Sequence, residues 1–209
     1  MSFINASIRI QGNKAWKNHQ LILENEADLD LSTFSKNLYK HVGLKYLKFY
    51  KMDEMSKLGL LGAELLLADL SLIEDNEAQE IGIILANSSA SLHTDIKYYN
   101  TIKDEENYFP SPALFVYTLA NIVMGEIAIK QGFKGENSFF VQQKFNPNPL
   151  ITQSDLLIDR GSQKALICGW IEVNEEGYDC FLYLVENIDR GSHLEHSREE
   201  ILKIYQQIN

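Results

Sequence analysis

Two apolar runs late in the chain, at 165–173 and 178–186, are separated by a single short acidic segment, 174–177. Both are rich in β-branched and aromatic residues, and a gap that short joins them as an antiparallel hairpin. The chain must therefore build a sheet, and what precedes the hairpin decides its kind. Phe3, Ile4, Ala6, Ile8 and Ile10 alternate well enough for a first strand, which Gly12-Asn13 ends. A second short strand is expected at 19–24 and a helix at 30–41. Met52, Met55, Leu58, Leu61, Leu65 and Ala68 recur at helical spacing, which predicts a helix over 52–70 with Asp53 and Glu54 in its first turn.

Further on, 81–86 reads as a buried strand and 94–102 as a helix. Pro112 opens a long apolar helix through Gln131, which Gly132 terminates. The segment 138–143 is a strand, Asn148 and Pro149 cap and open a helix to about Arg160, and Ser197 with Glu200 caps a last helix to about Ile208. The order β-α-β-α-β-α-ββ-α predicts a single α/β domain over 1–209, a mixed sheet of about five strands with covering helices.

The charge balance narrows the partners. A net charge of -10 over 209 residues argues against nucleic acid and against adhesion to anionic lipid. The lysines at 45, 48, 51 and 57 form a local basic run, read as a solvated helix entry. Cys168 and Cys180 sit inside the two hairpin runs and are expected as buried, reduced thiols of a cytoplasmic protein. The opening residues carry no basic-then-apolar leader, and no apolar run is long enough for a membrane span. His193-x-x-His196 has helical metal-ligand spacing but falls at an exposed cap, so no metal is expected. No phosphate-binding or nucleophile-elbow motif is present, and no cofactor is implied.

One stretch carries a family pattern. Ser111, Pro112, Asn121, Gly125, Gly132, Phe133, Lys134, Gly135 and Asn137 fall in the register that β-ketoacyl synthases of the thiolase-like superfamily use ahead of their nucleophilic cysteine. Lys51-Met52-Asp53 with Ser56, and the hairpin ending in Leu184-Val185-Glu186, resemble two further segments of those enzymes. The chain resembles the N-terminal half of such a synthase, a truncated thiolase-like fold. The tenth residue counted from Gly135, where the resemblance implies cysteine, is Lys144.

That substitution governs the functional expectation. The resemblance implies a scaffold without its thiolate and without the histidines of the second half, hence no catalytic residue. Asn121, Lys144 and Phe145 would line a vestigial acyl pocket. Phe139, Phe140 and Val141 would pair with a partner, either a second copy or a full-length ketosynthase. The implied role is a noncatalytic, chain-length-factor-like accessory in fatty-acid or polyketide/polyene biosynthesis. Two other readings stand beside it. One is altered acyl chemistry with Lys144 as nucleophile or acid. The other is a module that binds acyl groups or an acyl carrier protein through the basic run.

Overall fold

The computed structural model describes residues 1–26 and 29–206. One mixed sheet of seven strands runs through it: β1 (Phe3–Gln11), β2 (Lys14–Lys17), β3 (Gln20–Glu24), β4 (Ile81–Asn87), β5 (Asn137–Val141), β6 (Ala165–Asn174) and β7 (Gly177–Glu186). Their order is β3-β2-β1-β7-β6-β4-β5. Strands β4, β5 and β6 are mutually parallel, whereas β7 runs antiparallel to β6 and β1.

The sheet is larger than the five strands expected, because 12–24 folds as two successive hairpins. Gly12 and Asn13 both have positive φ, 56° and 62°, between paired Gln11 and Lys14. Asn18 and His19 repeat this, at 47° and 67°, between paired Lys17 and Gln20. Two-residue turns with both φ positive match the twist of the strands they join. The four-residue β2 is too short to show a period.

Strand alternation splits the core in two. On one face Ile167, Ile171, Cys180, Leu182 and Leu184 meet the helices α1 (Leu31–His41), α2 (Glu54–Leu67) and α6 (Ile122–Gln131). On the other, Leu166, Cys168, Trp170, Phe181, Tyr183 and Val185 meet α7 (Pro147–Asp159) and α8 (Arg198–Gln206). Ile4 belongs to the second core although Ala6, Ile8 and Ile10 belong to the first. The register slips between Ile4 and Ala6, and this one-residue bulge moves Ile4 across the sheet. Gly59 lets α2 lie close on its neighbours, since a Cβ there would collide with Val123 and Ile171.

Short helices complete the chain: α3 (Leu72–Asp75), α4 (Leu92–Tyr99) and α5 (Pro112–Phe115), with a 3-10 turn at Leu47–Lys51. The long helix expected over 111–131 is broken. Ser111 caps α5 through the Leu114 amide, and Thr118 Oγ1 donates back to the Phe115 carbonyl at 2.8 Å. Tyr117 is then drawn inside to Glu126, and the helix restarts as α6 after Asn121. Gly132, at φ 78°, ends α6 as expected.

Helix α7 starts two residues earlier than expected. Asn146, not Asn148, is its N-cap, and Pro147 takes the first turn. Ser197 Oγ accepts from the Glu200 amide at the start of α8. The expected end of that helix at Ile208 lies outside the described residues.

Candidate functional site

The connections out of β4 and β5 leave on opposite faces of the sheet. From β4 the chain returns through α6, whose Val123 and Ile127 pack in the first core. From β5 it returns through α7, whose Leu150 and Leu157 pack in the second. In an open α/β sheet such a switch leaves a crevice outside the carboxyl ends of the two strands, where ligands bind. The loops 87–91 and 142–146 meet there.

Asn87 sets the first loop. It is fully buried, and its amide clamps Ala90 from both sides, donating to the carbonyl at 2.8 Å and accepting from the amide at 2.9 Å. Ala90 consequently holds a positive φ of 51°. Glu172, from the end of β6, braces the same loop. Its carboxylate accepts from the Ser88 amide at 2.6 Å, from Ser88 Oγ at 2.5 Å and from Ser89 Oγ. A carboxylate this deeply buried is tolerable only when it is so bonded.

The second loop is tied to the first where the Gln142 amide donates to the Asn87 carbonyl at 2.8 Å. Gln142 Oε1 accepts from the Asn146 amide at 3.1 Å. Its Nε2 is buried and has no hydrogen-bond partner among the described residues. Lys144, next along the loop, is exposed and takes part in no ion pair or hydrogen bond among the described residues.

The three residues expected to line an acyl pocket lie in different surroundings. Lys144 faces solvent, and Asn121 is exposed at the start of α6 without a side-chain capping bond. Phe145 turns into the second core, its ring 4.5 Å from Tyr205, 5.5 Å from Phe181 and 6.0 Å from Trp170. No hydrogen bond or ring contact joins any two of the three. A cleft of about 660 Å³ lies beside the first loop instead, with Ser88, Ser89, Leu92, Ile96, Lys97 and Glu175 on its walls.

The expected pairing residues lie on β5, a sheet edge bonded to β4 alone. Phe139 leans on the first core and Phe140 on the second, whereas Val141 is 61% exposed. The two thiols are far from this edge in chemistry. Cys168 and Cys180 are fully buried within β6 and β7, and burial pushes both pKa values up. A buried thiol of that kind is inert as a nucleophile.

A second polar cluster supports the crevice from below. Asp53 caps α2 through the Ser56 amide at 2.9 Å and accepts from Thr94 Oγ1 on α4 at 2.9 Å. Burial raises its pKa. Glu126, inside α6, accepts from the Tyr117 hydroxyl at 3.0 Å and pairs with Lys48 at 2.7 Å. Burial, and then Glu126, raises the Tyr117 pKa. The first bonds tie α2 to α4, and the second tie α6 to the 3-10 turn.

The other histidine-bearing segment is a structural tie. His193 pairs with Asp189 at 2.7 Å, while His196 is buried with Nδ1 3.2 Å from Asp155 and 3.4 Å from Ser2. Among the described residues no group of three His, Cys, Asp or Glu side chains is arranged to hold a metal ion. No helix among them is long and apolar enough to cross a membrane.

No protein-family model matches the sequence, and no curated protein does. Solved structures do match. The chain superposes on the ishigamide ketosynthase/chain length factor with a TM-score of 0.63 at 14% identity, over 91% of this chain and 63% of that one. A type II polyketide synthase acyl-carrier protein in complex with its ketosynthase gives 0.59 at 14% identity, over 89% and 62%. A ketosynthase in complex with its chain length factor from Xenorhabdus doucetiae gives 0.58 at 12%, over 90% and 79%.

The fold is ketosynthase-like. The mixed sheet with its covering helices has the architecture that the resemblance in the sequence implies. The ketosynthase-like chain spans about 63% of the length of the ishigamide protein.

Proposed function

We propose that this chain is a noncatalytic, ketosynthase-like accessory subunit that pairs with a full-length ketosynthase in fatty-acid or polyketide/polyene assembly. One observation carries the reading. The ketosynthase-like scaffold is kept, yet the loop after β5 offers an exposed Lys144 where the synthase motif has cysteine, and both thiols of the chain are buried elsewhere. Acyl transfer through a thioester needs an accessible thiolate, and neither cysteine supplies one.

Pairing is assigned to the β5 edge. An unpaired edge strand is a template for another strand, and Val141 offers an apolar side chain beside it. A chain length factor and an acyl-carrier protein are the partners in matched complexes, which supports the same kind of assembly here. The carrier protein would deliver acyl groups to the pair.

The test is co-purification with ketosynthases of the same organism, followed by light scattering. A 1:1 complex is expected, lost on Val141→Arg and retained in Lys144→Ala. Acyl turnover by the isolated chain that disappears in Lys144→Ala would replace this reading with an enzymatic one.

A further inference from the structure

The net charge of -10 conceals a strong segregation. Residues 36–57 hold six lysines against Asp53 and Glu54, a local charge of +4, which leaves -14 on the rest of the chain. Asp53 is buried and Glu54 is engaged by Lys97 at 2.7 Å, so neither carboxylate offsets the lysines. Lys40, Lys45 and Lys51 are exposed and form no ion pair among the described residues. The chain here is short and tightly held. The Tyr39 ring packs tilted against Phe49 and Tyr50, and its hydroxyl accepts from the Tyr46 amide at 2.8 Å. These contacts fix the end of α1 against the 3-10 turn.

The turn then presents two apolar side chains among those cations. Leu47 is 84% exposed and Tyr50 is 53% exposed. They are three residues apart, so in a 3-10 turn they share one face. The neighbouring chain is uncharged from Asn107 to Gly125. Its Phe115, Val116 and Leu119 are also exposed, and Tyr117 ties this stretch through Glu126 to Lys48.

We propose that this surface docks on an anionic lipid membrane, with Leu47 and Tyr50 entering the headgroup region and Lys40, Lys45 and Lys51 facing lipid phosphates. Net charge alone argues against anionic lipid, but charge acts over roughly a Debye length, about 8 Å in physiological salt, so the local surface decides. One feature favours lipid over an acidic protein partner. Every cation in 36–57 is lysine and none is arginine, whereas protein interfaces favour arginine and are depleted in lysine. A fluid anionic surface needs only charge and a shallow apolar wedge.

The experiment is co-sedimentation of the whole chain with vesicles of phosphatidylcholine alone and with phosphatidylglycerol added. Binding is expected only to the anionic vesicles, and high salt abolishes it. Lys45→Glu with Lys51→Glu weakens it at least 25-fold, roughly five-fold for each lysine near the surface. Leu47→Asp, an exposed change that leaves the fold intact by circular dichroism, also weakens it. Equal binding to both vesicles, or none, overturns the proposal. So does capture of an acyl carrier protein through these same lysines by a chain that ignores the vesicles.

Discussion

Glu172 and His196 are the two residues whose burial makes the sharpest claims. Glu172 carries three hydrogen bonds that hold the 87–91 loop, so Glu172→Ala leaves Ser88 and Ser89 donors without their acceptor. A loss of about 3 kcal/mol is expected from urea unfolding. His196 is different because burial lowers its pKa from 6.5. Its neutral form is the one the fold accepts, and its Nε2 has no hydrogen-bond partner among the described residues. The unfolded chain therefore takes up the proton more readily. Stability associated with His196 is complete above pH 6.5 and is lost as pH falls through the lower, folded value. His196→Asn should flatten that part of the stability profile; an unchanged slope would assign the titration to another group.

Residues of this kind were only partly legible in sequence. Glu172 and Glu126 are lone charges inside apolar segments, a visible signal, but their partners lie 84 and 9 residues away and only the fold supplies them. The resemblance places Phe145 at an acyl pocket; its ring packs in the second core against Tyr205, a contact across 60 positions that no local pattern encodes.

At the scale of elements, periodicity served where it was long. The β6–β7 hairpin falls within one residue of its expected limits and α2 within three, since each carries its apolar pattern over nine residues or more. It misled at 111–131, where apolar residues continue but a threonine hydroxyl and an inward tyrosine break the helix. Strand β2 was invisible for want of length. Its flanking turn makes a test, because His19 holds φ 67° without being glycine. His19→Gly should stabilise the fold by about 1 kcal/mol by relieving the left-handed backbone cost. The urea midpoint should rise with an unchanged slope; a fall would mean the imidazole itself contributes.

For the whole molecule, the proposed pairing rests on the ketosynthase-like fold and on the open β5 edge. Both faces of the sheet are covered by helices, and many of the exposed large apolar residues lie on α4, α5 and the 3-10 turn, with Val141 at the sheet edge. An edge strand left open is a template for another strand, and the proposed pairing uses it. Light scattering of the purified chain mixed with a ketosynthase of the same organism tests this most directly. The account predicts a stable 1:1 complex that Val141→Arg dissolves. A chain that ignores every ketosynthase, or a complex indifferent to Val141→Arg, would contradict it.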